Sequence, residues 1–245
     1  MTNRKIALLG FLLGVICSCA PGRKPAAGEV ETFDSLVRKG TIFVNQGAYD
    51  KANDAFIRAL ALDPRSVKVR NLLGIAAFRR QDYSSAESHF REAVLLDPSF
   101  ATGYNNLGGV YALKDDLDKA KEMYEKAISL SPGLVSAYYS LGAIFFLGGD
   151  AAEGTLRLAK GIELDPNFLD EHGGSIAGLT TRGASLPEMS FALAGLYAST
   201  GNVEKTVEYL GKAGREGFKD WRRIAAEKGF DPVREDPRVR KFIDK

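Results

Sequence analysis

Residues 67–100 read VKVRNLLGIAAFRRQDYSSAESHFREAVLLDPSF, and residues 101–134 read ATGYNNLGGVYALKDDLDKAKEMYEKAISLSPGL. The two stretches have equal length and align without a gap. Leu73-Gly74 matches Leu107-Gly108, Ala86 matches Ala120, Phe90 matches Tyr124, Ala93 matches Ala127, and Pro98 matches Pro132. The frame extends in both directions. Pro64, Pro98, Pro132 and Pro166 recur every 34 residues, so further units begin at Phe33 and Val135. A fixed period of this length marks one supersecondary unit that is repeated and stacked.

Each unit can be numbered from its first residue. Position 8 is then Gly40, Gly74, Gly108 and Gly142; position 20 is Ala52, Ala86, Ala120 and Gly154; position 27 is Ala59, Ala93, Ala127 and Gly161. Small residues there let two helices approach closely. The large residues Phe56, Phe90, Tyr124 and Leu158 at position 24 fill the space between them, as do Leu73, Leu107 and Leu141 at position 7, where the first unit has Lys39. Gln46-Gly47, Gln81-Asp82, Asp115-Asp116 and Gly149-Asp150 are turn residues that split each unit into two helices. The proline near the end of each unit cannot extend the second helix and turns the chain into the next unit. The pattern predicts helices over 33–46, 50–62, 67–80, 84–96, 101–114, 118–130, 135–148 and 152–164. One unit alone cannot bury its apolar face, so stability requires stacking.

This pattern resembles the tetratricopeptide repeat. The resemblance implies an all-α fold, a right-handed superhelical solenoid of helix–turn–helix repeats. It covers four units, 33–66, 67–100, 101–134 and 135–166. Residues 167–186 break the frame with Gly173, Gly174, Gly178 and Gly183; they form either a tolerated connection or a functional loop over the groove. A weaker fifth unit spans 187–217, with Leu193, Ala194, Tyr197, Leu210 and Ala213 in frame and Thr206 out of pattern at position 20. Ser185-Leu186-Pro187-Glu188 reads as a capping box at its start. Residues 218–245 are similar to tails that close such stacks. There Trp221 and Phe242 are expected to act as capping core, with Asp236-Pro237 opening the last helix.

The N-terminal end reads as an address. Arg4 and Lys5 precede the apolar run Ile6–Ile16, which suits the core of a signal peptide better than a membrane span. Ile16-Cys17-Ser18-Cys19 resembles the bacterial lipobox. The resemblance implies a signal peptide over 1–18, cleavage after Ser18 and lipid on Cys19; Cys17 is a rival, but Ile16 is too bulky for the cleavage position. Acyl chains at about 0.8 kcal/mol per buried CH₂ would anchor the protein durably. Residues 19–32 read as a Pro/Gly/Ala-rich tether. Ala20, in place of aspartate, points by the same resemblance to the outer membrane, facing the periplasm.

Composition narrows the function classes. Removing residues 1–18 leaves 31 basic residues against 31 acidic ones, so there is no net pull on nucleic acid. Cys17 and Cys19 are the only cysteines, and His89 and His172 are far apart, which argues against a metal site or a histidine-based triad. No phosphate loop or nucleophile elbow occurs. The expectation is a non-enzyme without cofactors, metal or small-molecule substrate. Its partner would be another protein or peptide, and its membrane contact a lipid anchor. In the tetratricopeptide family the first helix of each unit lines the concave face. Carried over position by position, the resemblance implies contact residues Asn71, Ile75, Phe78, Arg79, Asn105, Asn106, Tyr139 and Phe146. A carboxylate clamp is not expected, because the first unit has Val37 and Thr41 where that sub-type uses lysine and asparagine. Two roles fit: a tethered envelope adaptor, or a pilotin-like assembly lipoprotein for an outer-membrane, pilus or secretion complex.

Overall fold

The computed structural model describes residues 31–171 and 186–244. The helices of the first four units are α1 (Phe33–Asn45), α2 (Tyr49–Leu62), α3 (Val67–Arg79), α4 (Tyr83–Leu96), α5 (Ala101–Leu113), α6 (Leu117–Leu130), α7 (Val135–Leu147) and α8 (Ala151–Leu164). They differ from the spans expected from the period by no more than one residue at either end. A short α9 (Phe168–Glu171) follows, then α10 (Pro187–Ser199), α11 (Val203–Arg215), α12 (Arg223–Ala226) and α13 (Pro237–Ile243). Among the described residues there is no strand, and no helix is long and apolar enough to cross a membrane.

The same turn joins the two helices of all five units. Gly47, Gln81, Asp115, Gly149 and Gly201 each take a left-handed conformation, with φ between 65° and 83°. The next amide then donates back to the helix: Ala48 to Phe43, Asp82 to Ala77, Asp116 to Tyr111, Asp150 to Phe145 and Asn202 to Tyr197, at 2.9–3.0 Å. This closes the orphan carbonyls of the first helix in a Schellman arrangement. The donating residue also starts the second helix. The side chains of Asp82, Asp116, Asp150 and Asn202 accept from the amides of Ser85, Lys119, Glu153 and Lys205. Ala48 in the first unit has no such group, and α2 begins uncapped.

Packing follows the small–large code. A methyl placed on Gly40, Gly74 or Gly108 would overlap the ring of Phe56, Phe90 or Tyr124. Those three rings, with Leu158, are buried, and each contributes roughly 1.5–3 kcal/mol of apolar burial. Within each unit α1 pairs with α2, α3 with α4, α5 with α6 and α7 with α8; between units α2 meets α3, α4 meets α5 and α6 meets α7. The first helices therefore form one layer and the second helices the other. Two buried clusters, one centred on α1–α3 and one running from α3 to α13, share Ile75 at their margin.

The fifth unit keeps the stack. α10 packs on α8 and α7 as a next first helix would, although 22 residues separate Leu164 from Pro187. Thr206, the residue out of pattern, is fully buried and satisfies its hydroxyl by donating to the Asn202 carbonyl at 2.7 Å. The start of α10 differs from the expected capping box. Leu186 is the N-cap, with no side-chain bond, and Ser185 lies outside the described residues. The tail packs on the fifth unit. Phe230 packs on Phe191 at 5.3 Å, Trp221 meets Phe218 at 5.0 Å and Phe242 at 5.3 Å, and Asp236 caps α13.

Candidate protein-binding groove

The layer of first helices presents one stripe per helix. On α3, Lys68, Asn71, Ile75, Phe78 and Arg79 fall at spacings that place them on one face. The facing stripe on α5 carries Asn105 and Asn106. One hydrogen bond shows that the stripes meet: Asn106 Nδ2 donates to Asn71 Oδ1 at 2.8 Å, with both residues half-buried. That bond uses one donor of Asn106 and one acceptor of Asn71. The Asn71 amide NH₂ and the Asn106 amide oxygen remain, a donor and an acceptor side by side.

The first helices also carry large apolar side chains. Phe78 is half-buried and set edge-on to Tyr83 at 5.7 Å, and Ile75 is half-buried between the two core clusters. Phe146 is half-buried, with its ring filling the space above Gly154. Leu147 is 37% exposed, and Arg79 is exposed with no ion pair among the described residues. Val37 is buried and Thr41 donates to the Val37 carbonyl at 2.9 Å, so neither offers a polar group to a carboxylate.

Two residues expected in the groove lie inside the protein. Tyr139 is 0% exposed and stacks on Phe168 of α9 at 5.4 Å, and its burial raises the phenol well above its ordinary pKa. It is core because its ring lies against Gly161 of α8 and the chain leaving α8 folds Phe168 over it. The broken frame after Pro166 carries no periodic signal for that contact. Asn105 is 6% exposed, and its Oδ1 is buried without a partner among the described residues. One step along the helix turns Asn106, not Asn105, toward Asn71. Arg38 and Lys68 are exposed on α1 and α3, whereas α5 and α7 carry no charged residue. Cys19 and the 1–18 segment lie outside the described residues, as do residues 172–185 of the 167–186 insertion.

Beside the groove, a polar network ties the second unit to the third. Tyr111 of α5 accepts from Arg91 of α4 at 2.7 Å and donates to Glu87 at 3.1 Å, and Lys114 reaches Glu87 at 2.7 Å. The bond from Lys114 holds the Glu87 carboxyl below its ordinary range, against the opposing effect of partial burial. Among the described residues no group of three or more His, Cys, Asp or Glu side chains is placed to hold a metal.

Residues 37–99 and 71–134 match the family described as Tetratricopeptide repeat. No curated protein matches the chain in sequence. Solved structures share the fold. One is described as "Crystal structure of MamA protein", at 21% identity over 79% of this chain and 93% of that chain, with a TM-score of 0.52. "MamA 41-end from Desulfovibrio magneticus RS-1" matches at 24% identity over 56% of this chain and 77% of that chain, with a TM-score of 0.50. A Thermobaculum terrenum O-GlcNAc transferase mutant matches at 21% identity over 56% of this chain but 26% of its own length, with a TM-score of 0.50. At these identities the likeness is one of fold alone.

Proposed function

Because the chain is a tetratricopeptide-repeat solenoid, a fold of protein–protein interaction scaffolds, we propose that it holds a segment of a partner protein in the groove formed by α1, α3, α5 and α7. The observation that carries this reading is the Asn71–Asn106 pair. It offers a backbone-matching donor and acceptor on a layer of first helices that also carries Ile75, Phe78, Phe146 and Leu147. An extended peptide bonds through its backbone, and apolar pockets on either side select its side chains. Tyr139 and Asn105 act from below, as the packed floor.

The anchor belongs to the same proposal. The lipobox-like Ile16-Cys17-Ser18-Cys19 supports a scaffold tethered through lipid on Cys19 to the periplasmic face of the outer membrane. Cys19→Ala is expected to move the protein from the membrane fraction to the soluble one; retention in the membrane overturns the anchor.

The groove is tested with a photo-crosslinking residue in place of Phe78 and, separately, in place of Leu95, which is 80% exposed on α4 in the other layer. Adducts to a defined partner are expected from position 78 and not from position 95, and Asn71→Ala with Asn106→Ala should remove them. Equal adducts from both positions would sink the groove reading.

A further inference from the structure

The joint between successive first helices recurs along the stack and is filled differently each time. Position 5 of one unit meets position 6 of the next, as the bond from Asn106 to Asn71 shows. The repeat carries that juxtaposition to the other joints. In the first joint the two residues are Val37 and Leu72, which share one apolar cluster. In the third they are Asn105 of α5 and Ser140 of α7. Serine lacks the carboxamide with which Asn106 spans the second joint. Asn105 is 6% exposed and Ser140 is fully buried, and neither Asn105 Oδ1 nor Ser140 Oγ has a hydrogen-bond partner among the described residues.

A third atom of the same kind stands with them. Position 24 is Phe56, Phe90, Leu158 and Leu210 in the other units, but Tyr124 in the third. The Tyr124 ring lies over Gly108 of α5, one helical turn from Asn105, and brings its hydroxyl beside Ser140. That hydroxyl is buried and has no partner of hydrogen-bonding geometry among the described residues. Burial raises the phenol above its ordinary pKa, and the neighbouring Ser140 acts the other way. The tyrosine at position 24 thus falls at the joint whose position 6 is serine. A dry joint is better filled by phenylalanine and alanine, because an unpaired buried hydroxyl is costly. Buried polar atoms are paired by protein or by ordered water, and an internal water takes two to four polar partners.

We propose that the joint between the third and fourth units is a binding site for one ordered water molecule, enclosed by α5, α6 and α7. The water accepts from the Tyr124 and Ser140 hydroxyls and donates to Asn105 Oδ1. It takes the place of the carboxamide that closes the second joint directly.

A high-resolution crystal structure of the full chain is expected to show this water at about 2.7–3.2 Å from all three atoms. Direct bonds among the three side chains, with no water between them, would overturn the site. In solution, oxygen-17 relaxation dispersion counts the long-lived internal waters. Ser140→Asn restores the carboxamide, which should donate directly to Asn105 and remove one such water; an unchanged count overturns the site. Tyr124→Phe keeps the ring over Gly108, as Phe90 lies over Gly74. It is expected to raise the unfolding equilibrium constant about tenfold in the natural chain. In the Ser140→Asn background it should raise it not at all, since the hydroxyl there has no water to donate to. The same cost in both backgrounds would assign the effect to packing and overturn the site. If Ser140→Asn does not fold, Tyr124→Phe with Ser140→Ala carries the test: the long-lived water should be lost, and its retention overturns the site.

Discussion

The two ends of the stack solve one problem in opposite ways. A repeat array must finish somewhere, and its last helices lack the neighbour that covers every interior unit. At the N-terminal end the chain leaves one apolar position in water and changes residue type at two others. Position 10 is buried in the interior as Ala76, Val110 and Ile144, but its counterpart Ile42 is 49% exposed. Positions 3 and 7, Val69 and Leu73 in the second unit, become the exposed Ser35 and Lys39 in the first. At the C-terminal end the residues stay apolar, and the chain adds a lid. Phe218, Ile224, Phe230, Val233 and Val239 are buried against α10 and α11, and Arg223 lies over the Phe191 ring at 4.5 Å. Polarity tolerates water at one end; extra chain excludes it at the other.

The sharpest way to break this contrast is to truncate one residue at each end. Phe230→Ala opens a cavity in a fully buried cluster and is expected to cost about 3–5 kcal/mol, read by urea unfolding with Trp221 as the fluorescent reporter. Ile42→Ala should cost about 1 kcal/mol or less, since its side chain is half in water already. Equal costs would mean that something else covers α1 in the intact protein.

The missing cap at Ala48 extends the comparison to single helices. Asp116→Ala removes the side-chain acceptor for Lys119 N–H and is expected to cost about 1 kcal/mol. Ala48→Asp should return a similar amount to the first unit, measured as slower amide exchange in α2. No change there would mean that the first unit frays for another reason.

Within the interior, the left-handed turn residue varies. Gln81 has φ 65° with a full side chain, so Gln81→Gly is expected to raise stability by up to about 1 kcal/mol. Asp115→Gly should gain less, because aspartate tolerates this region better. Thermal unfolding of the two variants side by side checks the order.

The smallest effect is one of pH. Burial lowers the pKa of His89 on α4 below its ordinary value of 6.5. The unfolded chain takes up this proton first as pH falls, so stability is full above about pH 6.5 and declines below it. Hydrogen exchange at mildly acidic pH should loosen α3 and α4 before the aromatic lid, and His89→Asn should flatten that response.

Much of this was legible in the residues. The period of 34 placed all eight helices of the first four units, because small and large residues at fixed positions state which surfaces must touch. The groove was legible only in part. Of the expected contact residues, Asn71, Ile75, Phe78, Asn106 and Phe146 are half-buried and Arg79 is exposed, whereas Tyr139 and Asn105 are interior. A family position number gives the direction of a side chain to within one helical step. It does not say what a departure from the repeat will lay on top.

By itself, the sequence determined the repeat, its turns and the charge contrast between α3 and the later first helices. These are local: each follows from spacing, from a turn residue, or from which residue types a helix holds. Tertiary structure alone decided that Phe168 covers Tyr139, that α10 rejoins the stack after a 22-residue detour, and that Asn106 rather than Asn105 meets Asn71. Those contacts join segments far apart in the chain, or depend on the rotation of one helix against its neighbour, and no periodic signal encodes either.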